Sequence, residues 1–342
     1  MTPTPEPPMP QKAPGFEPGR LRLARELRGL NQAELADKTG ITSAAISQFE
    51  SGATSPSQKT LDRLSDTLEV PAAFFNLALL ETHEGFFRSL RRTSIRQRRQ
   101  ARALAHIAHD SAVARFAAPG RSDLTVPLIQ IESLDADRKT VERIAGFVRK
   151  EWRMAQGPIA NVVETLEAHG VVVIRMPFST TDVDAFSLPF PDWPVVVLAA
   201  DKNDRARSRF DAAHELGHLV MHAEQVWGVK EVERQAHDFA AAFLMPEEDI
   251  ADELPTRADW PVLFGLKREW QVSLAALLMR ARKIGKMSEA SYLAAIKETS
   301  ARGWRRTEPI PLGDCEQPAS SWPNAGPTLR KTLPVDILDA LG

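Results

Sequence analysis

Arg209-Phe210-Asp211-Ala212-Ala213-His214-Glu215-Leu216-Gly217-His218-Leu219-Val220-Met221-His222 stands near the middle of the chain and has the form H-E-x-x-H between His214 and His218. Residues four apart on a helix share a face, so the two imidazoles can meet one metal ion while Glu215 lies beside the open coordination position. Zinc is the expected ion, about one per chain. Two neutral nitrogens leave it electrophilic, a third protein ligand fixes it, and the remaining position holds a water whose pKa falls to about 7. Glu215 would take that water's proton. Phe210, Ala213, Gly217 and Val220 make an apolar stripe beside the histidines, so this helix is expected to be buried on at least one side.

The third ligand must come from elsewhere. A metzincin would continue with x-x-G-x-x-H after the second histidine, but Met221 stands where the glycine belongs and Glu224 where the histidine belongs, so that class is excluded. A second helix is expected from about Lys230 to Met245, ended by Pro246, because the residue before a proline is pushed out of helical geometry. Its Ala236, Ala240 and Ala241 permit close approach to the first helix, and Glu233 lies on the same side. A carboxylate ligand there makes the site gluzincin-like, with Glu231 and His237 as rival ligands.

These two blocks, Arg205 to His222 and Glu233 to Pro246, resemble the ImmA/IrrE metallo-endopeptidases. The likeness extends upstream through Pro158-Ile159-Ala160-Asn161 and Asp184-Ala185-Phe186-Ser187. It implies Glu233 as third zinc ligand and cleavage of a repressor. His237 departs from the asparagine usual in the family, which leaves open altered support of the ligands or an additional metal contact.

Composition bounds the rest. A chain of 342 residues suggests two or three domains. Charged residues at 26% and a net charge of -2 give no global polyelectrolyte character, so any nucleic-acid surface must be local. Cys315, the one cysteine, cannot form an intrachain disulfide, which suits a reducing cytoplasm. No apolar run reaches the roughly 18 residues of a membrane span, and no signal peptide is visible at the N-terminus.

Between Arg20 and Phe75, short amphipathic helices alternate with turn signals. Asn31 can cap a helix starting at Gln32, Gly40 supplies a tight turn, and Ile46 is the apolar plug of the helix that follows. Ser51-Gly52 ends that helix, and Ser57 starts another with Leu61, Leu64 and Leu68 facing inward. This five-helix pattern resembles the Cro/cI-type repressors. The resemblance places Gln32 at phosphate and Ser43, Ala44, Ser47 and Gln48 at base edges of a duplex operator, read by a homodimer on paired half-sites.

From Phe86 the composition turns basic, with Arg91, Arg92 and Arg96 as candidate phosphate contacts set against a plain solvated face. A long alanine-rich helix over Ala101 to Phe116 is expected to join the domains. Further on, Pro158 is expected to start a helix with Val162, Val163 and Leu166, and Val171 to Met176, Val183 to Leu188 and Pro194 to Ala199 read as strands. Helices are expected between Trp260 and Tyr292, with Trp270, Leu274, Leu277, Leu278 and Met279 as core.

The expected architecture is multidomain. It runs from a disordered tail (1–17) to an all-α Cro/cI-type head (18–78), a basic helical connector (79–118), an α+β zincin-like domain with a helical extension (119–305) and a proline-rich tail (306–342). The expected function is that of a cytoplasmic DNA-binding regulator whose zinc site cleaves a regulatory protein. The alternative is a non-proteolytic regulator in which the same domain senses metal or ligand.

Overall fold

The computed structural model describes residues 15–80, 94–116, 126–129, 131, 136–177, 184–201, 203–222 and 230–319. The N-terminal tail to residue 14, Arg91 and Arg92, and the part of the expected proline-rich tail beyond residue 319 lie outside these residues.

The head consists of α1 (Pro18–Leu27), α2 (Gln32–Thr39), α3 (Ser43–Glu50), α4 (Gln58–Leu68) and a 3-10 turn at Ala72–Asn76, which takes the place of the fifth helix. Local chemistry sets each boundary. Asn31 Oδ1 accepts from Glu34 N at 2.8 Å while the Glu34 carboxylate accepts from Asn31 N at 2.7 Å, a reciprocal cap that starts α2. Gly40 ends it at φ 64°, a left-handed conformation that a side chain would strain. Ile46 is fully buried, whereas Ser43, Ala44, Ser47 and Gln48 on the opposite face of α3 are exposed.

The connector differs from the expectation in its role. It is one helix, α5 (Ile95–Phe116), which begins about two turns earlier than the alanine-rich run; its arginines Arg96 and Arg99 are exposed while its alanine-rich part is packed between head and sheet. Ala101, Leu104, Ala105 and Ala108 are buried in a core shared by the head, α5 and one face of the sheet. Alanine suits a helix pressed from two sides. Arg20 of α1 is ion-paired with Asp110, and His109 stacks on Phe190 while sharing a 2.8 Å hydrogen bond with Asp192. The helix therefore fastens head to body.

The body opens with α6 (Arg138–Glu151) and α7 (Val162–Ala168). Pro158 lies before α7 and does not start it. Asn161 is the cap, accepting from Glu164 N at 3.0 Å. The sheet contains β1 (Val172–Met176), β2 (Ala185–Leu188) and β3 (Val195–Ala199) in the order β1-β3-β2, with β1 parallel and β2 antiparallel to β3. Both faces are buried, which is why the strands read as continuous apolar runs. Val173, Ala185, Val196 and Leu198 face the core of the body; Val172, Ile174, Phe186 and Val197 face the core shared with the head.

Next come α8 (Arg205–Met221), α9 (Lys230–Leu244), α10 (Glu247–Ile250), α11 (Trp260–Trp270), α12 (Leu274–Lys283) and α13 (Glu289–Ala301). Near the end of α12 Arg280 is buried at 2% exposure together with Ala281, whereas Met279, expected in the core, is only partly covered. Arg280 Nε donates to Met245 O at 2.9 Å and Arg149 Nη1 to Phe243 O at 2.8 Å. Two buried guanidiniums thus satisfy the carbonyls left open at the end of α9. Among the described residues no helix is long and apolar enough to cross a membrane.

Candidate metal centre

Asp204 starts α8 by accepting from Arg207 N at 3.0 Å, and the four-residue spacing along that helix puts His214 and His218 on one face. Their Nε2 atoms approach to 3.1 Å, and Glu233 Oε2 from α9 lies 3.6 Å from His214 Nε2. Ligand atoms of these three residues all fall within 4.8 Å of one another. Tetrahedral zinc with bonds of about 2.0–2.1 Å places adjacent ligand atoms roughly 3.3 Å apart, so the donor set and its spacing fit such an ion. Neither Glu231 nor His237 belongs to the convergent group; His237 stands at its rim, ring to ring with His214 at 4.8 Å between centroids.

Close packing of α8 on α9 makes this geometry. Gly217 faces Phe239, and a Cβ at that position would come within 2.9 Å of the ring. Ala236 and Ala240 are fully buried at the same contact.

Support for the ligands is uneven. With His218 Nε2 turned to the metal position, its ring proton sits on Nδ1 and is donated to His222 Nδ1 at 3.2 Å; His222 Nε2–H then donates to Gln235 Oε1 at 2.9 Å. Burial pushes His222 down to about 4 and His218 further below its usual value, with the neighbouring histidines adding to the effect. Both rings are therefore neutral at neutral pH, as ligation requires. His214 Nδ1, in contrast, is buried with no hydrogen-bond partner among the described residues.

Glu215 is 4% exposed, and burial holds its carboxyl well above the ordinary range. The Ser187 hydroxyl on β2 opposes that shift by donating to Glu215 Oε2 at 2.7 Å, and the nearby carboxylates of Glu233 and Asp211 reinforce it. A buried carboxyl with a raised proton affinity can accept a proton and hand it on.

Sequence reading gave no role to Ser187, Gln235 or Glu316. Glu316 belongs to the stretch expected to be a proline-rich tail, yet it is 5% exposed. Its carboxylate pairs with Arg209 of α8 and accepts from Val162 N at 2.8 Å and Val163 N at 3.1 Å, while its carbonyl accepts from Arg175 Nε at 2.8 Å. Arg205 and Arg209 were visible as part of the motif block, but their partner lies more than a hundred residues away.

In the head, Arg25 holds Glu50 through two bonds of 2.5 and 2.8 Å, and Gln32 Nε2 donates to Glu50 Oε2 at 2.8 Å. Gln32, Ser43, Ala44, Ser47 and Gln48 all belong to α2 and α3. Arg96 is 60% exposed and lies 3.3 Å from Glu34.

Two family models match parts of the chain. Residues 166–282 match the peptidase family model described as the IrrE N-terminal-like domain, and residues 21–75 match the model described as helix-turn-helix. No curated protein matches the chain.

Proposed function

Because the chain joins a helix-turn-helix domain to a domain of the IrrE-like peptidase family, we propose that it is a DNA-binding regulator whose body is a zinc-dependent endopeptidase acting on a regulatory protein in the cytoplasm. The observation that carries the enzymatic half is the convergence of His214, His218 and Glu233 beside a buried carboxyl, Glu215, held by Ser187. A divalent ion held by the three ligands supplies Lewis acidity, polarising a peptide carbonyl and lowering the pKa of water. The chain supplies the remainder. Glu215 accepts the proton of the attacking water and delivers it to the leaving amine, while Ser187 fixes the carboxylate that does so. Glu233, His218 and the His222–Gln235 relay hold the centre in place, and buried surroundings keep bulk water from the reacting groups.

In the head, Ser43, Ala44, Ser47 and Gln48 read base edges of a duplex operator, Gln32 lies at the backbone, and Arg91, Arg92 and Arg96 add phosphate contacts. A homodimer would bind paired half-sites about one helical turn apart. A second reading, a sensor without turnover, is favoured by the core that the sheet shares with the head.

Metal analysis and proteomics of the purified chain and of cells separate the readings. About one zinc per chain is expected in wild type and in Glu215→Gln, and none in His218→Ala. Glu215→Gln should also abolish the loss of one regulatory protein from the proteome. Equal metal in all three would refute the site, and an unchanged proteome in Glu215→Gln would leave only the sensor.

A further inference from the structure

A cleft of about 510 Å³ lies where α1, the start of α2 and the end of α3 meet α5. Gln32 and Ser47 stand on its rim, so it opens beside the surface proposed to meet DNA. Its charges do not balance. Arg25 and Glu50 are closed on each other through two hydrogen bonds, which leaves Arg22, Arg99 and Arg102 facing the carboxylate of Glu26. Those three are loosely engaged. Among the described residues, Arg99 Nε is 3.7 Å from Glu26 Oε1, Arg22 Nη2 donates to Glu50 O at 3.4 Å, and Arg102 Nε is buried with no hydrogen-bond partner. Guanidiniums converging with unused donors on one concave surface suit a phosphate oxygen.

We infer that this cleft grips a backbone phosphate of the bound duplex through Arg22, Arg99 and Arg102, a site built between α1 and α5 and separate from the contact proposed for Arg96. Arg99 and Arg102 come from outside the helix-turn-helix match, which ends at residue 75. The inference rests on the proposed DNA reading by the head. It adds that the helix touching the phosphate is the same helix whose Leu104 and Ala108 pack in the core shared with the sheet.

The test is the salt dependence of operator binding by the full-length chain. Replacing Arg99→Ala together with Arg102→Ala should weaken binding to every duplex, leave the preferred sequence unchanged, and reduce the salt slope by about 0.9 for the phosphate lost. Glu26→Gln, which removes the competing carboxylate, should tighten binding to every duplex severalfold, and it decides the matter if the double variant fails to fold. An unchanged slope, or unchanged affinity in Glu26→Gln, would overturn the inference while leaving sequence-specific binding intact. No duplex binding by wild type would remove the DNA reading and the inference together. Inorganic phosphate titrated by calorimetry distinguishes a free-anion site: saturable uptake lost in the double variant, with an unchanged DNA slope, would overturn the inference.

Discussion

Gly217 shows how one residue can set the geometry of a site it never touches. It separates His214 from His218 in sequence, yet its constraint comes from Phe239, whose Cβ and Cγ would lie 3.1 Å from an added methyl group. Alanine normally favours a helix interior over glycine by about 1 kcal/mol. Here the overpacking of a fully buried ring, typically costing about 1–3 kcal/mol, should outweigh that gain. Since the crowded Cβ is attached to the backbone, the strain is relieved only by moving α9 away from α8. Gly217→Ala should therefore lower the denaturation midpoint and also weaken zinc affinity by displacing Glu233, as chelator competition would measure; a variant as stable as wild type with unchanged zinc affinity would refute this account. At this scale the sequence was legible where chemistry is periodic. His214 and His218 meet because of helical spacing, and Glu233 was reachable from the small residues around it. Ser187, Gln235 and Glu316 were not, because a hydroxyl, an amide and a distant carboxylate carry no periodic signature; only the assembled sheet and chain end bring them to their partners.

Among the elements, α5 departs most from its sequence reading. Its alanines read as helix propensity and its arginines as either a solvated face or phosphate contacts, but alanine is also the residue that fits between two close surfaces, and composition alone does not separate these uses. His106 marks the buried side at 2% exposure, edge-on to Phe190. Burial, with Arg102, Arg20 and His109 adding positive charge around it, pushes His106 down to about 3. In the unfolded chain a histidine titrates near 6.5, so between the two values the unfolded state binds a proton that the folded state refuses. Stability from this group is complete above about pH 6.5 and is lost as pH falls from there towards 3. His106→Gln should consequently lose less stability than wild type between pH 7 and 4.5, by roughly 2 kcal/mol, in paired denaturant titrations. Identical losses would mean that the acid sensitivity of the molecule lies with its other histidines.

Across the whole molecule, the sheet is the part that the two halves share, and β2 is its strand nearest Glu215. Ser187 holds Glu215 on one face of the strand, while Phe186 and Leu188 on the other face lie in the core that includes the head. Binding of an ion beside Glu215 and binding of DNA by the head can then bias one packed unit, and a differential affinity of about 1.4 kcal/mol would alter operator binding tenfold. Zinc-loaded and zinc-free protein should differ accordingly in operator Kd by fluorescence anisotropy; equal values would uncouple the two sites. The two-domain plan was readable from motifs, whereas the shared core was not, since both faces of a buried strand look alike in sequence. Glu316 bears on a different matter, the order in which the chain is built. The head and α5 precede it by about two hundred residues and can gain structure while synthesis continues. The buried guanidinium of Arg209 has to wait for its carboxylate, and the start of α7 for its acceptor, until the ribosome has released residue 316. A nascent molecule would thus possess its helix-turn-helix head well before Glu316 arrives to lock the helix that carries His214 and His218.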